Sequence, residues 1–162
     1  MLIAGLMSGT SADGIDTALV EISGAPPSVH LSVVLHRTTA YPPAVHAAIL
    51  AAFRPETSSS QQIARLNVQL GEVYAKAILD LIAQAGYQPE QIDLIGSHGQ
   101  TIWYDAPEQI IPGAVLTLGE PAIIAERTGI TTVSHLRARD LAVHARVVGD
   151  CRRATAEALA EG

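Results

Sequence analysis

Gly5-Leu-Met-Ser-Gly-Thr-Ser-Ala-Asp-Gly-Ile-Asp16 joins two apolar runs, residues 2–7 and 15–22, and the reading of this join decides the fold. The first run is short and bounded by Ser8 and Gly9, as a buried strand is. The second alternates in part and is rich in β-branched residues, as a strand within a sheet is. A tight glycine-rich connection between them predicts an antiparallel pair. Residues 29–39 resume the extended pattern after Gly24-Ala25-Pro26-Pro27, so the chain is expected to open as a three-stranded meander.

Beyond the meander the period changes. Pro42 and Pro43 open a short helical stretch through Val45, Ile49 and Leu50 to Phe53, and Pro55 closes it. Ser58 and Ser59, with Gln61 and Gln62 spaced after them, signal the start of a long helix. Its apolar stripe runs through Ile63, Leu66, Leu70, Ile78 and Leu81, and Gly86 stops it. Gly71 inside that helix predicts a close backbone contact against the sheet. Residues 92–96 read as a short strand that ends abruptly in Ser97-His98-Gly99-Gln100-Thr101, and Trp103 falls in an irregular stretch. Residues 115–118 read as a strand edge, Pro121 starts a helix through Thr128, residues 130–134 make a last strand, and residues 152–160 look helical. The order β-β-β-α-β-α-β describes an α/β fold, a mixed sheet flanked by helices. Both polar clusters fall at strand ends, where such sheets carry ligands.

Composition removes several function classes. Ten Lys and Arg against sixteen Asp and Glu leave a net charge of -6, without the basic footprint of a nucleic-acid binder. With 48% apolar residues in 162, the chain can bury one core. The lone Cys151 cannot form an internal disulfide, and no apolar run approaches the ~20 residues of a membrane span. The apolar start lacks a basic leader. A cytoplasmic protein without nucleic-acid or membrane partners is the expectation.

Gly9 and Gly14 allow positive φ, Thr10 and Ser11 supply hydroxyls, and successive N–H groups in such a turn can form an anion-binding nest. Asp13 or Asp16 could then hold Mg²⁺ through water. The same residues suit an ordinary hairpin turn, and the stretch matches neither the Walker nor the dinucleotide pattern. Around Ser97 to Thr101, an imidazole, an amide and a hydroxyl suit hydrogen bonding to a sugar better than nucleophilic attack, since no G-x-S-x-G occurs. A loop capping its own strand is the plain alternative. The six histidines lack a metal-ligand spacing, which argues against zinc. Arg137, Arg139 and Asp140 could clamp an anion or form a solvated surface.

Taken in order, Gly5 to Asp16, Gly96-Ser-His-Gly-Gln-Thr101, Leu118-Gly-Glu-Pro121 and Arg137-Ala-Arg-Asp140 strongly resemble the anhydro-N-acetylmuramic acid kinase family over about residues 2–141. The resemblance implies an actin-like ATPase (ribonuclease H-like) lobe, the N-terminal part of a sugar kinase using ATP and Mg²⁺, at residues 1–141. Residues 142–162 then form a divergent helical tail, with the second lobe absent. It implies a phosphate-binding turn made of Gly9, Thr10, Ser11, Ala12, Asp13, Gly14, Ile15 and Asp16, with Asp13 as the water-mediated Mg²⁺ ligand. His98, Gln100 and Thr101 would lie against the amino sugar, with Glu120 and Arg139 in the same pocket. This sequence departs from the family in carrying His135 where members have Asp, and no position matches the family's Asp-Thr-Gly-Pro-Gly-Asn base motif. No catalytic base is therefore assigned, and the 162-residue chain alone is expected to be weak or inactive. The alternative is a non-catalytic binding module that keeps the lobe, whose exposed cleft face would favour self-association.

Overall fold

A computed structural model describes residues 1–105 and 114–142. Strands β1 (Leu2–Ser8), β2 (Ile15–Ala25) and β3 (Ser28–Thr39) form the expected meander, each antiparallel to the next. Helices α1 (Pro43–Ala52) and α2 (Ser60–Gln84) follow, then β4 (Leu94–Asp105), β5 (Ala114–Leu118), α3 (Pro121–Thr128), the two-residue β6 (Thr132–Val133) and α4 (Leu136–Ala142). One six-stranded sheet runs β3-β2-β1-β4-β5, with β6 also on β4. The β1/β4 and β4/β6 pairs are parallel and the rest antiparallel, so the sheet is mixed and the expected α/β lobe is present.

Helix α2 carries the core across this sheet. Ser59 caps it, its hydroxyl oxygen accepting the Gln62 N–H at 3.3 Å. Leu66, Leu70, Ile78, Leu81 and Ile82 recur at helical spacing and are buried with Ala4 and Leu6 of β1, Ile15 and Leu19 of β2 and Ile95 of β4. Each such Leu or Ile contributes about 2 kcal/mol by leaving water. Among the described residues no helix is long and apolar enough to cross a membrane.

Three expectations are corrected. Gly71 does make a close contact, but against α3 rather than the sheet: a Cβ there would lie 3.0 Å from the Glu120 carbonyl oxygen and 3.1 Å from Ile123 Cβ. Ser97 to Thr101 do not end a strand, because β4 runs on through them to Asp105 and takes in Trp103. The reason is a bulge: Leu6 of β1 faces Ser97 but Ser8 faces Gln100, with Gly99 at φ +74° between them. That break in the two-residue alternation makes a continuous strand look like a strand and a loop. The last strand shrinks to Thr132–Val133, and the expected helix over residues 152–160 lies outside the described residues.

Candidate functional site

Strand β4 changes partner along one edge. Ile95 and Gly96 pair with Thr132 and Val133 of β6, whereas Gln100 through Asp105 pair with β5 from Leu118 back to Ala114. The sheet forks at the bulge between them. A cleft of about 360 Å³ opens there, bordered by His98 and Gly99 of β4, Thr117 of β5, Asn67 of α2, Glu120 and His135. His98 is half-buried, with Nδ1 3.1 Å from the Gly99 carbonyl oxygen.

Asn67 fixes one wall of the cleft. Its Nδ2 donates to Glu120 Oε2 at 2.9 Å, its Oδ1 accepts the Gly119 N–H at 2.8 Å, and its own carbonyl accepts the Glu120 N–H at 3.1 Å. Glu120 also caps α3, with Oε1 accepting the Ala122 N–H at 3.2 Å. Both its carboxylate oxygens are thus engaged while the residue still borders the cleft.

The turn after β1 lies across β4 from this cleft wall. Gly9 carbonyl oxygen accepts the Ala12 N–H at 3.1 Å and Gln100 Nε2 at 2.9 Å. Ala12 is fully buried in the left-handed region at φ 54°, whereas Thr10, Ser11 and Asp13 are exposed. Ser11 Oγ donates to Asp13 Oδ1 at 2.8 Å. Ile15 and Asp16 already belong to β2, and Asp16 Oδ1 accepts Thr38 Oγ1 at 2.5 Å with His36 Nε2 3.7 Å away. Exposed hydroxyls and a left-handed kink in a short loop fit a polyphosphate. For Mg²⁺, no group of three or more potential ligands from His, Cys, Asp and Glu stands together among the described residues. Each carboxylate accepts one hydroxyl, Asp16 from Thr38 and Asp13 from Ser11, and Asp13 is the more exposed of the two. This donor set fits a hydrated ion held chiefly by nucleotide phosphates.

Beneath the turn runs a buried polar chain. Tyr74 hydroxyl lies 3.0 Å from that of Tyr41, Tyr41 closely contacts Ser8 Oγ, and Ser8 Oγ donates to Gln100 Oε1 at 2.5 Å. Gln100 Nε2 then meets Gly9 and Thr101 carbonyls, at 2.9 and 3.2 Å. Since both those partners are acceptors, the amide nitrogen must face them, and the amide oxygen must face the hydroxyls. Each hydroxyl has one proton, and the short contacts run in one direction, Tyr74 to Tyr41 to Ser8 to Gln100 to Gly9. Longer contacts of Ser8 Oγ to Gly14 oxygen (3.3 Å) and Tyr41 to Gln100 Oε1 (3.2 Å) flank the chain. Burial pushes both phenols above the ordinary tyrosine range, so they stay protonated as donors. Among the described residues no buried side-chain N or O lacks a partner.

The structure therefore sorts the expected site residues. Of the turn, Thr10, Ser11 and Asp13 are accessible while Ala12, Gly14 and Ile15 are buried, and His98 and Glu120 border one cleft. Gln100 is fully buried and Thr101 is 4% exposed, so both stand behind the cleft rather than facing it. The side chain of Arg139 lies outside the described residues. Sequence reasoning missed Ser8, Tyr41, Asn67 and Tyr74. The available signal was the two tyrosines in a chain that is only 4% aromatic, one of them on the buried side of the longest helix.

Residues 1–148 match the family described as anhydro-N-acetylmuramic acid kinase. A protein of that name from Caldanaerobacter subterraneus subsp. tengcongensis is 47% identical over 146 residues, covering 87% of this chain and 37% of the relative. Namesakes from Bacillus cereus and Bacillus anthracis are 41% and 43% identical, each covering 88% of this chain and 37% of their own length. The chain thus spans little more than a third of the relatives it matches.

Proposed function

The chain belongs to the anhydro-N-acetylmuramic acid kinase family, and we propose that it supplies the phosphate-binding turn and part of the sugar cleft for ATP-dependent phosphorylation of 1,6-anhydro-N-acetylmuramic acid. In that reaction water adds at C1 and loses a proton, the C1–O6 bond breaks, and O6 receives the γ-phosphoryl group of ATP, giving the 6-phosphate of N-acetylmuramic acid and releasing ADP. This is a step in cell-wall sugar recycling, for which a cytoplasmic setting is part of the same proposal.

One observation supports the reading: the bulge of β4 adjoins both the turn at residues 9–13 and the cleft. Gln100 holds Gly9 of the turn, while His98 and Gly99 of the same bulge border the cleft. Phosphoryl transfer needs donor and acceptor positioned and their charge neutralised, and little else from the protein. Residues 9–13 would hold the phosphates, with Asp13 touching hydrated Mg²⁺ through water. His98 and Glu120 would face sugar hydroxyls, and Arg139 belongs to the same proposal as a clamp in the pocket. When bound, Mg²⁺ would screen phosphate charge. No residue of this sequence is assigned the base that activates water.

Titration calorimetry of the 162-residue chain with MgATP and, separately, with the anhydro sugar tests the reading. Saturable binding of both supports it, and binding of neither sinks it. A coupled assay is expected to record little turnover by this chain alone, since no position matches the family's base motif.

A non-catalytic binding lobe is the second reading. Exposed Val29 (46%), Leu31 (60%) and Val33 (58%) on β3, the edge strand among the described residues, favour it, because apolar edge strands invite strand pairing between copies. A clean monomer by light scattering would count against it.

A further inference from the structure

The geometry points to Gln100 as a positioning residue that sets the orientation of the Gly9–Thr10 peptide, and through it the phosphate affinity of the turn. This inference rests on the reading of residues 9–13 as the phosphate-binding turn.

A trans peptide holds its C=O and N–H on opposite sides of one plane. Gly9 carbonyl oxygen points inward, toward Gln100 Nε2 at 2.9 Å and the Ala12 N–H at 3.1 Å. The Thr10 N–H must therefore point the other way, at a residue that is exposed. A flip of this one peptide would exchange a donor for a carbonyl oxygen facing the phosphate, replacing attraction with repulsion. Gly9 is glycine, so its backbone has the freedom to flip, and something must prevent it. The Ala12 N–H alone is part of the turn and can move with it. Gln100 is anchored outside the turn, in β4, fully buried. Its orientation is in turn dictated by the Ser8 hydroxyl, which donates to Oε1 and leaves Nε2 for Gly9. Gln100 touches no exposed surface, and its one hydrogen bond into the turn is to the Gly9 carbonyl.

Gln100→Glu tests this because its function depends on protonation. A protonated carboxyl keeps an acceptor for Ser8 and offers an O–H to Gly9, whereas the carboxylate repels the Gly9 carbonyl. Burial raises the carboxyl pKa, so the change falls above the ordinary glutamate range of about 4.3. The variant is expected to bind MgADP about tenfold more weakly than wild type near pH 8 and within about threefold of it near pH 5.5, while wild-type affinity changes little. A merely structural role would lower stability without creating a pH-dependent affinity. Equal affinity of variant and wild type across that range overturns the inference.

Amide hydrogen exchange separates failure of this inference from failure of the nucleotide reading. If wild type binds no nucleotide, faster exchange at Ala12 in the variant at pH 8 than at pH 5.5, after correction for intrinsic rates, still supports positioning by Gln100. Unchanged corrected exchange overturns it. If the variant does not fold, NMR of the wild type decides: the Gln100 side-chain N–H protons should exchange far more slowly than those of the exposed Gln61 and Gln62. Comparable rates would overturn it.

Discussion

Tyr74 lies directly beneath Gly119: a Cβ built on Gly119 would stand 2.4 Å from Tyr74 Cε2 and 2.8 Å from Cδ2. Gly119 sits at φ +117°, so an added methyl meets both a strained backbone and an aromatic ring. Gly119→Ala is expected to cost about 2–5 kcal/mol, the sum of backbone strain and overpacking. Urea unfolding would measure it. In the Tyr74→Ala background the same substitution should cost at least about 1 kcal/mol less, because the ring is gone. Equal costs in the two backgrounds would show that the ring is not the obstacle.

The two buried phenols predict loss of stability in alkali. Burial raises the pKa of Tyr41 and Tyr74 in the folded chain, whereas unfolded tyrosine titrates near about 10. Above that pH the unfolded state has lost protons that the folded state retains, so unfolding becomes easier as pH rises. Stability should be level between neutral pH and about pH 9 and fall steadily beyond about pH 10. Tyr74→Phe should cost about 1 kcal/mol at pH 7, since Tyr41 keeps its contacts with Ser8 and Gln100, and should flatten the alkaline fall. Denaturant midpoints across this range would reveal an unaltered slope if Tyr74 were not the source.

Local pattern makes most of the lobe legible in the sequence. The meander, the capped α2 helix and the helix starting at Pro121 follow from alternation, a serine cap and a proline, all of which act within a few residues. Strand β4 is not legible as one strand because its bulge depends on partners distant in sequence, Leu6 and Ser8 on one side and Leu118 on the other. The motif residues split for the same reason. Gln100 and His98 are two positions apart, yet the bulge sends one under the turn and leaves the other at the cleft. Asn67 carried no local signal, because its importance lies in pairing with Gly119 and Glu120 over 50 residues away.

On the proposed reading, Asn67 should matter to sugar binding in the cleft and not to nucleotide binding at the turn. Asn67→Ala removes the acceptor for the Gly119 N–H and the donor to Glu120 Oε2, which frees one cleft wall. A loss of about 1–3 kcal/mol in stability is expected, with anhydro-sugar affinity down about tenfold and nucleotide affinity within about twofold. Asn67→Asp keeps an acceptor for Gly119 but sets a carboxylate against Glu120, and near neutral pH should weaken sugar binding further than Ala does. Calorimetry on both variants checks the order, and a binding loss shared equally by sugar and nucleotide would point to general unfolding instead.

Asp13 offers the last separation, between an ion carried by nucleotide and one carried by protein. Its side chain is exposed and its Oδ1 accepts from Ser11, with no ligand cluster among the described residues to make a protein cage. Asp13→Asn removes a charge that attracts hydrated Mg²⁺ and repels bare phosphate. MgATP affinity should fall about three- to tenfold, while ATP in excess chelator should bind as well as to wild type or better. Thermal stability should move little, as the effect of an exposed substitution is within about 0.5 kcal/mol. Titrations with and without Mg²⁺ give the two affinities directly. An equal loss in both would mean that Asp13 serves the turn through Ser11 alone, with Mg²⁺ held by phosphates and residues elsewhere.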